Sequence, residues 1–186
     1  MKKKLYQYIF CRLMGWKFEG SFDPNIKKSV IMVMPHTCNF DFFIGLFCRG
    51  IIDLEMNFVA KKELFAFPFG YYFKSIGGEP LDRSGNKNKV DAIVDIFNKK
   101  EVFRLAIAPE GTRSKVNELK TGFYYIAHKA NVPIIPVAFD YGTKTIKIGL
   151  PIIVSGNYES DKEMILNHFI GSRGRFPERQ YTYNGL

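Results

Sequence analysis

Short apolar runs alternate along this chain with segments of helical periodicity. Residues 30–34 and 102–108 are the clearest runs, and a run that is apolar at nearly every position is typical of a strand buried on both faces. Between them, residues 87–99 carry apolar side chains three and four positions apart, which is the spacing of one helix face. Strands that alternate with helices predict an α/β fold, a single layered domain whose mostly parallel, mixed sheet is flanked by helices.

The remaining elements are predicted from the same patterns. We expect further strands at 57–60, 134–139, 143–148 (half-exposed) and, as a short addition, 151–154, and further helices at 39–50, 64–76, 120–130 and 161–170. The chain has 186 residues and shows no linker or internal repeat, so one continuous core suffices. We therefore expect an N-terminal segment over 1–20, one domain over 21–170 and a loosely held tail over 171–186.

Charge and aromatic content limit the classes of partner. A formal net charge of +9 and 18 Phe favour anionic lipid surfaces, phosphorylated ligands or nucleic acid. The basic residues are scattered and match no nucleic-acid motif, so no nucleic-acid partner is expected. Three cysteines without a C-x-x-C pair indicate a reducing, cytoplasmic setting rather than a disulfide framework or a zinc site. No stretch reaches the roughly 20 apolar residues that span a bilayer, so action on lipid would be peripheral, on the inner face of the cell membrane.

The first residues form an amphipathic pattern over 4–18. An apolar stripe of helical spacing next to the run Lys2-Lys3-Lys4 is typical of a helix that lies in a membrane interface, and it is equally typical of a helix that packs on its own domain. The sequence leaves both readings open, although the lysines and Trp16 favour the membrane. The stripe consists of Leu5, Tyr6, Ile9, Phe10, Leu13 and Trp16.

A histidine and a carboxylate, His36 and Asp41, lie where the predicted strand at 30–34 is followed by the next predicted helix. In α/β proteins the crevice beyond the carboxyl ends of the strands is where ligands bind. A carboxylate on one imidazole nitrogen fixes the tautomer and leaves the other nitrogen to take a proton from a hydroxyl, so the pair suits a general base. The alternative is that Asp41 only complements the helix dipole and that His36 is a polar loop residue.

Other motifs for catalysis are weaker. The chain has no Gly-x-Ser-x-Gly nucleophile elbow, and Cys38 is interpreted as a small buried thiol rather than a nucleophile. Arg83 and Arg113 each follow a turn that contains glycine, and two guanidinium groups can clamp a phosphate. The alternative for these arginines is a structural ion pair at the end of a loop.

Four sequence blocks in order resemble the glycerophospholipid acyltransferase family, the lysophosphatidic acid acyltransferases. The blocks are His36-x4-Asp41, GEPLDR at 78–83, PEGTR at 109–113 and VPIIPV at 132–137. The resemblance covers about residues 30 to 155 and is closest to short bacterial members without membrane-spanning helices. It implies a glycerol-phosphate acyltransferase-like fold, no metal or other cofactor, and acyl-CoA or acyl carrier protein as the acyl donor.

The resemblance also implies roles for individual residues. His36 would deprotonate the acceptor hydroxyl, which attacks the donor thioester, and Asp41 would orient His36. The acceptor and its phosphate would be held by Arg83, Glu110, Gly111, Thr112 and Arg113, and an acyl or acceptor pocket would include Pro133, Ile134 and Pro136.

The acceptor is the part of this assignment with open alternatives. Cys38 stands where many relatives have serine, and Glu79 stands where an apolar residue is common. A carboxylate close to a phosphate site is repulsive, so Glu79 makes a non-phosphate lyso-lipid, such as an amino-acid lipid, a second candidate. A non-catalytic module that binds lipid or nucleic acid on the same scaffold is the third.

Overall fold

The computed structural model describes residues 2–81 and 88–183. Shorter 3₁₀ turns lie at Lys62–Phe65, Asn167–Phe169 and Pro177–Arg179, and a π-helical turn at Tyr8–Leu13. The helices are α1 (Lys2–Gln7), α2 (Phe40–Ile52), α3 (Phe69–Ser75), α4 (Lys89–Lys99), α5 (Gly122–Ala130) and α6 (Tyr158–Leu166). The strands are β1 (Lys17–Glu19), β2 (Lys28–Met34), β3 (Phe58–Lys61), β4 (Gly78–Leu81), β5 (Phe103–Ile107), β6 (Ile134–Asp140) and β7 (Thr145–Ile148).

The main sheet has the strand order β1-β7-β6-β2-β5. β2 pairs in parallel with both β5 and β6, while β7 runs antiparallel to β6 and parallel to β1. β3 and β4 form a separate parallel pair. The expected mixed, mostly parallel sheet flanked by helices is therefore confirmed. β6 is its middle strand, and β2 lies between β6 and β5.

Two apolar cores lie on opposite faces of this sheet. One contains buried side chains of α4, α5 and α6, and the other contains buried side chains of α2 and the N-terminal segment. β6 contributes to both because alternate residues of a strand face opposite sides. Ile134 belongs to the first core, while Ile135, Val137 and Phe139 belong to the second, on the side of α2.

The N-terminal stripe is divided between core and solvent. Phe10 and Trp16 are buried, whereas Leu5 and Leu13 are exposed. The helical segment ends at Leu13 and residues 17–19 form a strand, so the helix predicted over 4–18 is too long and Trp16 does not lie on its apolar side. The expectation that Trp16 enters a membrane is wrong, because Phe10 stacks on its indole at 5.5 Å inside the second core.

Several other boundaries differ from the expectations. β4 lies where a turn was predicted, and residues 151–154 contribute only an isolated bridge between Ile152 and Ile134. β7 is mostly buried rather than half-exposed. In the described part of the C-terminal segment, residues 171–183, hydrogen bonds join the chain to the domain, such as that from the Phe176 amide to Thr37 Oγ1.

Within the described ranges, the helices are all too short or too polar to cross a bilayer.

Candidate active site

The site lies at the carboxyl end of β2. β2 ends at Met34, α2 begins at Phe40, and the turn between them carries His36. Asp41 lies in the first turn of α2 and is 3% exposed. His36 Nδ1 and Asp41 Oδ2 are 3.0 Å apart, so the structure brings together the two residues that the sequence pairs.

Five donors surround the Asp41 carboxylate. Oδ2 accepts hydrogen bonds from the backbone amides of Thr37 (2.9 Å) and Cys38 (3.0 Å) and from the His36 ring. Oδ1 accepts from the Tyr141 hydroxyl at 2.6 Å and from Cys38 Sγ at 3.2 Å. A buried carboxylate with this many donors has one fixed orientation, and it can only accept hydrogen bonds while it is ionised.

The protonation of this carboxylate determines the tautomer of His36. Burial alone would raise the pKa of Asp41, but the hydrogen bonds from His36, Tyr141 and Cys38 outweigh it, and the pKa is lowered. The ionised carboxylate requires a proton on His36 Nδ1, because two acceptors cannot form a hydrogen bond. Nε2 is then the nitrogen that can take a proton from a substrate.

Glu110 supports the backbone of His36 rather than facing solvent. It is 2% exposed, and its Oε1 accepts a hydrogen bond from the His36 amide at 2.8 Å. Burial raises the pKa of Glu110 to about 7, although the hydrogen bond from His36 opposes this shift. The resemblance implied that Glu110 binds the acceptor, whereas in the structure its visible contact is with the turn that carries the base.

Tyr141 is a site residue that the sequence analysis missed. Its ring packs edge-on against Trp16, with centroids 4.9 Å apart, and its amide donates to Arg173 O at 2.8 Å. Burial, followed by the hydrogen bond to Asp41, raises the pKa of the Tyr141 phenol, so the hydroxyl remains a donor at neutral pH. The available signal was its position directly after β6, at the same sheet edge as His36.

The loop that follows β5 brings positive charge to the site. Gly111 has a φ of 63°, and the Lys120 side chain packs so closely that its Nζ is 2.6 Å from the position a Cβ would take at Gly111. Thr112 and Arg113 are both exposed, and Arg113 lines the cavity described next. Lys120 is a second cation at this loop, and the sequence analysis assigned it no role.

Arg83, the other predicted phosphate ligand, lies outside the described residues.

A cavity of about 520 Å³ is lined by His36, Asp41 and Arg113 and by mostly apolar side chains. Its walls come from α2, from β2, β5, β6 and β7, and from Phe58 of β3. Gly45 of α2 faces it, and a Cβ there would meet no atom within 4 Å. A cavity of this size and polarity fits a chain of methylene groups next to a histidine and a guanidinium group.

β6 reaches this cavity through residues other than those predicted. Val137 and Phe139 are in its wall. Pro133, Ile134 and Pro136 do not line this cavity. Ile134 belongs to the core on the opposite face of the sheet, and Pro136, two residues further along β6, lies on the same face as Ile134. The difference arises because side chains alternate between the two faces of a strand.

Comparison with known proteins points to one family. A family model described as Acyltransferase matches residues 17–140. The 1-acyl-sn-glycerol-3-phosphate acyltransferase of Saccharomyces cerevisiae is 33% identical over 143 residues, which cover 72% of this chain and 46% of the yeast protein. The protein of that name from Escherichia coli is 31% identical over 140 residues, which cover 72% of this chain and 55% of the bacterial protein. The chain thus spans about half the length of the curated relatives it matches.

A solved structure shares the fold. The crystal structure of the 1-acyl-sn-glycerophosphate (LPA) acyltransferase PlsC from Thermotoga maritima aligns with a TM-score of 0.58 at 22% identity. The alignment covers 89% of this chain and 75% of that protein, so the likeness extends through both cores.

Proposed function

The chain belongs to the acyltransferase family whose model matches residues 17–140, and we propose that it moves a fatty acyl group from a thioester donor to a hydroxyl of a lysophospholipid-like acceptor. The observation that carries the proposal is the placement of His36. A buried carboxylate fixes its Nδ1, and His36 lines a largely apolar cavity that Arg113 also lines.

The reaction follows from this geometry in two steps. His36 Nε2 takes the proton of the acceptor hydroxyl as the oxygen attacks the thioester carbonyl, and Asp41 stabilises the imidazolium that forms. The tetrahedral intermediate then expels the thiolate, which receives the proton from His36, so the products are an ester and a free thiol. No acyl-enzyme is needed, and Cys38 is not available as a nucleophile because it is buried and its Sγ donates to Asp41.

The donor is proposed to be acyl-CoA or acyl carrier protein, with its acyl chain in the cavity. Apolar side chains of β2, α2 and β6 line the cavity, and each methylene group of the acyl chain buried against them contributes about 0.8 kcal/mol to binding. Such a chain would place its carbonyl carbon near His36, which belongs to the same cavity wall.

The acceptor is proposed to carry a phosphate, as 1-acylglycerol 3-phosphate does. Arg113 and Lys120 supply cations at the loop after β5, and Arg83 remains a predicted third. The repulsion expected from Glu79 is offset because Glu79 forms an ion pair with Lys100. The curated relatives quoted above are named for the same acceptor.

We also propose that the protein acts peripherally on the cytoplasmic face of the membrane, since both the acceptor and the product are lipids.

The test is acyl transfer from a radiolabelled acyl donor to a panel of acceptors. His36→Ala should lower turnover by about 10²- to 10⁴-fold, while His128→Ala, which alters an exposed histidine of α5, should leave it unchanged. Arg113→Gln should raise KM for a phosphate acceptor by about tenfold and leave KM for a phosphate-free lyso-lipid unaltered. Retained turnover in His36→Ala would refute the role of the base.

The panel also separates the alternatives. Turnover with an amino-acid lyso-lipid and none with 1-acylglycerol 3-phosphate would replace the proposed acceptor. Absence of turnover with every acceptor, from a folded protein, would favour a lipid-binding module without catalysis.

A further inference from the structure

The segment of residues 61–75, which runs from the last residue of β3 to the end of α3, places many large apolar side chains in water. Five side chains, which we call the aromatic face, have exposed fractions between 47% and 88%, the highest being Phe67. A concentration of exposed rings in so short a segment is unusual for a surface that faces only water. The aromatic face consists of Leu64, Phe67, Phe69, Tyr71 and Tyr72.

The backbone under the aromatic face is tightly packed. Gly70 is buried, and a Cβ at that residue would clash with the carbonyl oxygen of Phe65, so the 3₁₀ turn and α3 approach as closely as glycine permits. The rings of Phe65 and Phe73 pack against each other, with centroids 5.9 Å apart. The exposed rings are therefore carried on a fixed support.

The charge of the same segment is predominantly positive. Lys61, Lys62 and Lys74 are exposed, and Glu63 is the single acidic residue of 61–75. Tyrosine and phenylalanine enter the headgroup region of a bilayer, where each neighbouring lysine is attracted to anionic lipid. The chemistry of the segment matches an anionic phospholipid surface better than a neutral one.

Both ends of the segment adjoin the cavity of the active site. Phe58 of β3 and Ile76, directly after α3, line that cavity, and the ring of Phe42 packs edge-on against Phe58 at 5.4 Å. We propose that the aromatic face docks on an anionic phospholipid bilayer and so brings the cavity next to its lipid substrates. The benefit for substrate access rests on the proposed function, whereas the docking itself does not.

The N-terminal segment is the competing attachment site. Its exposed side chains, among them Tyr8 and Leu13, lie near basic residues, but Phe10 and Trp16 are buried in the core and cannot enter a membrane. The exposed large apolar side chains of the N-terminal segment, Leu5, Tyr6, Tyr8 and Leu13, have exposed fractions of 38–66%. The five of the aromatic face have exposed fractions of 47–88%, so the aromatic face offers the greater apolar area to lipid.

The experiment is sedimentation of the full chain with vesicles of phosphatidylglycerol and phosphatidylcholine in equal parts, without substrates. The double variant Phe67→Ser with Phe69→Ser should reduce the partition coefficient by at least about tenfold. The matched control, Tyr8→Ser with Leu13→Ser, should change it by less than about twofold. Replacing Lys61 and Lys74 by glutamine should reduce binding by about fivefold for each charge on these vesicles and have no effect on vesicles of phosphatidylcholine alone.

Turnover with a water-soluble short-chain thioester and acceptor is measured in parallel. The Phe67/Phe69 variant should retain it, which separates loss of docking from loss of catalysis. Unchanged vesicle binding in that variant, failure of the unaltered protein to bind vesicles, or release by the N-terminal pair would each overturn the proposal. So would a concentration-dependent dimer that the Phe67/Phe69 variant abolishes, because a second copy would then occupy the face.

Discussion

Replacing Tyr141 by phenylalanine isolates one contact in the support of the base. The substitution removes the hydroxyl that donates to Asp41 Oδ1 at 2.6 Å and keeps the ring that packs on Trp16. Asp41 is 3% exposed, so water cannot easily replace the lost donor. Cys38 Sγ, at 3.2 Å, remains on the same oxygen as a weak donor.

A hydrogen bond to a charged group contributes about 1.5–3 kcal/mol. If the whole of this free energy serves to orient His36 in the transition state, kcat falls by about 10- to 100-fold, at about 1.4 kcal/mol for each factor of ten. KM should change little, because the tyrosine acts through Asp41 rather than on the substrate. The free energy of unfolding should fall by a similar amount at neutral pH.

Unfolding at acid pH supplies a separate test of the contact between Tyr141 and Asp41. The depressed pKa of Asp41 adds stability that is complete above its ordinary pKa, 3.8, and is lost as pH falls through the folded value below it. Without the Tyr141 hydroxyl the pKa of Asp41 rises, so the acid-unfolding midpoint should move to higher pH. Tyr125→Phe, on an exposed tyrosine of α5, is the matched control for both measurements.

Unaltered kcat together with an unaltered acid midpoint would refute the assignment of Tyr141 as a positioning residue. A lower kcat with a raised KM and an unchanged acid midpoint would place the hydroxyl on the substrate instead.

Substitutions at two further positions test the remaining parts of the site. Burial raises the pKa of Glu110 from 4.5 to about 7, so between these values the native state binds a proton that the unfolded chain does not. The free energy of unfolding therefore falls by about 2.5 kcal/mol as pH rises from 5 to 8. Glu110→Gln, whose amide oxygen can still accept from the His36 amide, should remove that decline in urea unfolding, and an equal decline in both proteins would contradict the reasoning. Gly45→Leu should fill part of the cavity and shift competition among acyl donors toward shorter chains, whereas Gly45→Ala should keep the preference and add about 0.5–1 kcal/mol of stability. An unchanged chain preference in Gly45→Leu would show that the acyl chain lies elsewhere.

The strands that could be predicted are those buried on both faces. β2, β5 and β6 are mostly apolar because helices cover both sides of the sheet. β4 has no such pattern: it is the sequence Gly-Glu-Pro-Leu in a two-stranded pair, where an edge position tolerates Pro80. β1 has three residues, too few to show a period.

The same burial explains why the sequence does not indicate which face of β6 lines the cavity. All seven residues of that strand are buried, so hydropathy does not distinguish the face of Val137 from the face of Pro136. His36 and Asp41 could be paired because five positions separate them across one turn. Tyr141 is 100 residues from Asp41 along the chain, and a contact of that range leaves no local pattern.

The N-terminal segment contributes to the site through the core. Trp16 packs on the ring of Tyr141, Tyr141 donates to Asp41, and Asp41 holds His36. Removal of residues 1–18 would therefore expose the second core and release Tyr141. Membrane binding that is lost in such a truncated chain is thus explained equally well by local unfolding as by loss of a membrane contact. Substitutions at exposed positions such as Leu13, with Phe10 and Trp16 retained, alter the surface and leave these contacts in place. A loss of turnover in Trp16→Leu that matches the loss in Tyr141→Phe, with no further loss in the double variant, would show that the two act as one support.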